Sequence, residues 1–106
     1  MWVFTKHGFI SIVTTKKKKK FAIRARNKDH LVALLPDVKI IETTDSDYRF
    51  RCILTAKEFS TFWEELQKTI TYQNFKNEVT NHLYHTALID VWVVMAEYQS
   101  EQMYFG

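Results

Sequence analysis

The sequence predicts an α+β fold: a mostly antiparallel sheet of about five strands, helices packed on one face, and a helical C-terminal half. Three observations predict it. Tyr48 to Thr55 alternates with period two, placing Tyr48, Phe50, Cys52 and Leu54 on one face and Arg49, Arg51 and Ile53 on the other, as a half-buried strand requires. From Ala56 onward the apolar residues recur every three or four positions, the period of a helix. Strands dominate the first half and helices the second, which argues for an α+β layer arrangement rather than alternating βαβ units.

Trp2 to Thr5 reads as a short strand, Lys6-His7-Gly8 as a hairpin loop with Gly8 supplying a positive φ, and Phe9 to Thr14 as the returning, β-branched strand. The lysine run Lys16 to Lys20 cannot be buried and is expected to be a solvated connection. Phe21 to Arg26 resumes the alternation, with Phe21, Ile23 and Ala25 inward and Arg24 and Arg26 outward. Asn27 is a good N-cap for a short helix over Lys28 to Leu35, which Pro36 ends. Val38 to Thr43 is a further strand, turning through Thr44-Asp45-Ser46-Asp47 into Tyr48.

Thr55-Ala56-Lys57-Glu58 has the form of a capping box. The helix it opens carries Phe59, Phe62, Trp63, Leu66 and Ile70 on one face. Thr71 can cap a short helix over Tyr72 to Val79, and Asn81 can cap the last helix. There Tyr84, Leu88, Val91, Trp92, Met95 and Tyr98 form an apolar stripe that weakens at Gln99 to Gln102. The stripes predict Trp63 and Trp92 as core anchors.

Composition bounds the function. The chain has 106 residues, 46% of them hydrophobic, which suits a single domain over residues 1–106 with a real core. A formal charge of +3 permits nucleic acid or an acidic partner without requiring either. Cys52 is the only cysteine, so no intramolecular disulfide forms and a cytoplasmic location fits. No signal peptide, membrane span, solenoid repeat, Gly-rich phosphate loop or cofactor motif is visible.

Several runs carry a resemblance. Met1-Trp2-Val3-Phe4 with Gly8 to Val13, Ile23-Arg24-Ala25-Arg26 and Asp47-Tyr48-Arg49-Phe50-Arg51 contribute to it. So do Ile70 to Lys76, Tyr84-His85 and Val91-Trp92. Together they resemble a family of short uncharacterised bacterial proteins over most of the chain. Members more often have aspartate where Thr71 stands, and they lack the five-lysine run. The resemblance implies one compact domain and no particular chemistry, because that family has no established activity.

Candidate chemistry is sparse. His82 and His85 share a helix face, but Asp90 points elsewhere and the closed zinc spacings are absent, so no metal site is expected. Cys52 has the inward parity of Phe50 and Leu54 and reads as a small core residue rather than a nucleophile. Asn74, Lys76 and His85 are secondary binding candidates, set against an ordinary helix connection.

The stronger signal is Arg24, Arg26, Arg49 and Arg51, which strand parity places on the exposed side of their strands. Such guanidinium forks recognise phosphates and carboxylates. Pairing with Asp37, Glu42, Asp45 or Asp47 is the alternative, and inward-pointing Tyr48 and Phe50 argue against base stacking. The expectation is a small cytoplasmic, non-enzymatic binding or accessory protein acting through this basic sheet face on a protein or nucleic-acid partner. No cofactor and no membrane are implied. A homodimer and a phage or mobile-element origin are both compatible. The alternative is a small phosphate- or nucleotide-handling enzyme or sensor using the same arginines, with His85 or His7 as acid–base groups.

Overall fold

The computed structural model describes residues 1–17 and 19–106. The chain divides into two compact units, Met1–Thr71 and Tyr72–Gly106.

The first unit is a five-stranded antiparallel sheet in the order β1-β2-β3-β5-β4. Its strands are β1 (Trp2–Thr5), β2 (Gly8–Thr14), β3 (Lys20–Ala25), β4 (Ile41–Glu42) and β5 (Phe50–Thr55). The helices of this unit are α1 (Lys28–Leu34) and α2 (Ala56–Gln67). Period-two patterning divides the sheet cleanly. Ile10, Ile12, Ile23, Ala25, Cys52 and Leu54 point to one side, where Leu31 and Leu35 at α1 and Phe62 of α2 complete a buried core. Both helices therefore lie on that side.

The helix ends follow local chemistry. The Asn27 side chain accepts from the Asp29 N–H at 2.9 Å. At α2 the Thr55 hydroxyl accepts from the Glu58 N–H, and the Glu58 carboxylate accepts from the Thr55 N–H, closing the capping box. These two backbone and side-chain bonds hold the Glu58 pKa below the usual carboxylate range.

The first hairpin is clamped to α1. Thr5 pairs with Gly8 across the two-residue loop Lys6-His7, and Gly8 has φ +151°. The Thr5 hydroxyl accepts from the His7 and Gly8 N–H groups and donates to the Gly8 carbonyl. One residue on, the Phe9 N–H donates to His30 Nδ1 at 3.1 Å. Burial lowers the His30 pKa from its ordinary 6.5, and an Nδ1 that accepts a hydrogen bond must be unprotonated. Protonation is thus harder in the folded protein than in the unfolded chain. The contribution of His30 is complete above the unfolded pKa and is lost as pH falls from there through the lower folded pKa. Lowering the pH from about 7.5 to about 5.5 should lower the melting temperature, because this window brackets the ordinary histidine value. His30→Asn, which keeps an acceptor near Nδ1, should flatten that decline. An equal decline in the variant would assign the effect to another group.

Several elements differ from the sequence reading. The strand expected over Val38 to Thr43 shrinks to Ile41–Glu42, because the Val38 N–H donates to the Leu35 carbonyl in the turn that follows α1, while Val38 and Ile40 still pack against the core. β5 begins at Phe50, so Tyr48 and Arg49 precede the strand and escape its parity. Lys20 belongs to β3. The expected lysine connection also includes Lys18, which lies outside the described residues, while Lys16, Lys17 and Lys19 are exposed. Trp63 is not a core anchor. It is 41% exposed at the margin of the stripe that buries Phe62, although it packs on Phe59 at 5.8 Å.

The second unit contains a short 3-10 turn at Lys76–Glu78 and the 24-residue helix α3 (His82–Phe105). The helix expected over Tyr72 to Val79 is thus reduced to that turn. Asn81 caps α3, accepting from the Tyr84 N–H at 3.0 Å. The helix runs through Gln99 to Gln102 without a break. Leu88 is buried and Tyr84 and Val91 are half-buried, but Met95 and Tyr98 are exposed and Trp92 is 59% exposed. Trp92 is therefore not a core anchor either.

Candidate anion-binding face of the sheet

The side of the sheet away from α1 and α2 is built by register. One cross-strand row crosses all five strands: Trp2 opposite Ser11, Ser11 opposite Arg24, Arg24 opposite Arg51, and Arg51 opposite Ile41. Cross-strand partners project to the same face, so Arg24 and Arg51 stand side by side on neighbouring strands. A second row adds Phe4 opposite Phe9.

Both arginines are half-buried and held by neutral groups. Arg24 Nη2 donates to the Ser11 hydroxyl at 2.8 Å. Arg51 Nη2 donates to the Ser46 hydroxyl at 3.0 Å and the Tyr48 carbonyl at 3.3 Å. Ser46 is itself fixed, donating to the Tyr48 carbonyl at 2.6 Å. Among the described residues neither arginine has a carboxylate partner, and the Nε of each is buried without a hydrogen-bond partner.

Tyr48 is the keystone. It is 5% exposed, and the guanidinium carbons of Arg24 and Arg26 lie 4.5 and 4.3 Å from its ring centroid. The expected inward orientation of Tyr48 with Phe50 is corrected by this contact. Phe50 does face the core, but Tyr48 lies on the arginine side because its backbone precedes the regular strand. Phe9 sits 6.4 Å from Tyr48 and stacks on Phe4 at 4.5 Å, and Trp2 meets Phe9 edge-on at 83°. Trp2 is 70% exposed. The face therefore carries aromatic side chains beside its arginines.

The four arginines do not act alike. Arg26 pairs with Asp47 at 3.2 Å, and that hydrogen bond raises its pKa. Arg49 pairs with Glu42 at 3.2 Å and lies over Phe50, whose ring packs against the core. Arg49 thus leans away from Arg24 and Arg51, so the four expected to stand together divide into an opposed pair and two carboxylate-paired neighbours. These two exposed ion pairs add little to stability.

The secondary candidates lie in the second unit. Asn74 accepts from the Asn77 N–H at 3.2 Å, and Lys76 Nζ lies 5.0 Å from the Trp92 ring centroid. His85 is half-buried in the first turn of α3. The former two have local structural roles. Among the described residues no cluster of metal-ligating side chains occurs. Cys52 is fully buried, and burial pushes its thiol pKa up, against the direction a nucleophile needs.

Sequence reasoning missed the contribution of Ser11, Ser46 and Tyr48. Strand parity already placed Ser11 opposite Ile10 and Ile12 in orientation, but only the register brings it to Arg24. No family model, curated protein or solved structure matches the chain. Among the described residues no helix is long and apolar enough to cross a membrane.

Proposed function

We propose that this protein is a small, non-enzymatic binding module that takes an anionic partner on the sheet face away from α1 and α2. One observation carries the reading: Arg24 and Arg51 are opposed on adjacent strands, and among the described residues neither has a carboxylate partner. Like charges directly opposite one another in a sheet are unfavourable, and a bound phosphate or carboxylate would reverse that sign through charge-assisted hydrogen bonds. Ser11, Ser46 and Tyr48 hold the guanidinium groups in place beforehand, which lowers the ordering cost of binding. The exposed lysines at the β2–β3 turn add attraction that needs no fixed geometry. The lone, buried Cys52 is compatible with a reducing cytoplasm.

Titration with a labelled heparin fragment, a polyanion without bases, tests this reading. The parent protein should bind, and its affinity should fall as salt rises. Arg24→Gln with Arg51→Gln should weaken binding at least about tenfold, since hydrogen bonds to charged groups are worth ~1.5–3 kcal/mol each. Arg24→Lys with Arg51→Lys should recover only part, because an ammonium lacks the planar fork. A folded double-Gln variant that binds as the parent does would remove these arginines from the function.

A further inference from the structure

We infer that the partner is a single-stranded nucleic acid, with Arg24 and Arg51 holding phosphate and Trp2 stacking on a base; the inference rests on the anion-binding reading above. Arginine alone does not distinguish an oligonucleotide from an acidic peptide. The row itself does. Trp2, Ser11, Arg24 and Arg51 follow one another across four adjacent strands. With strands about 4.8 Å apart, Trp2 stands roughly 10 Å from Arg24 and 14 Å from Arg51 along the row.

Trp2 is a large apolar ring left 70% exposed on an edge strand. It is not loose: Phe9 meets it edge-on at 6.1 Å, and Phe4 stacks on Phe9 from the neighbouring strand. An oriented, exposed indole beside a pair of forked cations is what recognition of unpaired bases requires, because every base has a π-face and every linkage a phosphate. A duplex hides its base faces and gains nothing from Trp2. An acidic peptide would satisfy the arginines but has no group that calls for the indole. Asp47 and Glu42 are paired with Arg26 and Arg49, which leaves Arg24 and Arg51 as the cations of the row without a carboxylate among the described residues. Exposed Lys16, Lys17 and Lys19 at the β2–β3 turn add further positive charge.

The test uses the full chain with labelled single-stranded oligo(dT), a duplex of equal length, the heparin fragment and polyglutamate, at one salt concentration. Oligo(dT) should bind more tightly than the duplex or heparin. Trp2→Ala should lower oligo(dT) affinity about 5- to 150-fold, the change that ~1–3 kcal/mol of stacking per base corresponds to. It should leave heparin binding unchanged, and Trp2→Phe should retain part of the oligo(dT) affinity. Arg24→Gln with Arg51→Gln should lose both ligands. Equal binding of oligo(dT) by Trp2→Ala and the parent, or a preference for duplex or heparin, would overturn the inference while leaving the anion-binding face intact. Binding of polyglutamate in place of oligo(dT) would assign the face to an acidic protein. Failure to bind any of these polyanions would overturn the anion-binding reading as well.

Discussion

Replacing Gly8 by Ala is expected to destabilise the protein by about 2–6 kcal/mol, the sum of a backbone cost of ~1–3 and an overpacking cost of ~1–3. Two independent reasons support this. The backbone at Gly8 has φ +151°, a region that side-chain-bearing residues rarely occupy. A Cβ there would also overlap the His30 ring, well inside van der Waals contact. Because His30 accepts from the next residue's N–H, neither the ring nor the hairpin can move without losing that bond. Against a total stability of ~5–15 kcal/mol for an ordinary domain, this one methyl group would be severe. Urea unfolding measures it. Adding His30→Ala to the Gly8→Ala protein should restore the steric part and leave the backbone part. A Gly8→Ala protein within ~0.5 kcal/mol of the parent, the scatter of neutral surface changes, would show that the hairpin tolerates another conformation.

Tyr48→Ala should cost about 3–5 kcal/mol, the range for a large aromatic removed from a packed site. Most aromatic truncations of that size affect a hydrophobic core, but here the ring lies beneath two cations. Arg24 and Arg26 rest on it within 4.5 Å, and Phe9 flanks it. Its removal would leave the half-buried Arg24 guanidinium without its support, so heparin binding should fall along with stability. Tyr48→Phe keeps the π-face and should stay within about 1 kcal/mol, the scale of one net hydrogen bond. Tyr48→Ala with parental stability would mean that the arginines hold their positions without the ring.

Local signals carried much of the fold. β1, the first hairpin, α1 with its Asn27 cap and α2 with its capping box were all legible because each depends on residues within a few positions of one another. The pairing of β3 with β5 was not legible, since α1 and the β4 region separate them along the chain and only the folded topology makes them neighbours. That pairing is what joins Arg24 to Arg51. Parity failed at Tyr48 and Arg49 for a different reason. The Ser46 hydroxyl donates to the Tyr48 carbonyl at 2.6 Å, so the turn extends into the stretch that parity reads as strand. On α3 the apolar residues go almost all the way round, and such a pattern names no buried side, so Trp92 is exposed where a stripe alone predicts burial.

The position of β3 in the sheet bears on how the arginines would behave over time. β3 is paired along its length with β5 and over Phe21 to Arg24 with β2, whereas β1 and β4 lie at the edges. Opening of a sheet proceeds from its edges, and central strands separate only when the whole domain does. Arg24 therefore rides on the strand least able to breathe, and Arg51 on its immediate neighbour. Trp2 lies on an edge strand, but its end of that strand is tied down: the Met1 amino group donates to the Ile12 carbonyl and the Ile12 N–H to the Met1 carbonyl, each at 2.8 Å. The row would therefore present its cations and its indole on one fixed frame, and a ligand spanning it would have to fit that spacing rather than reshape it.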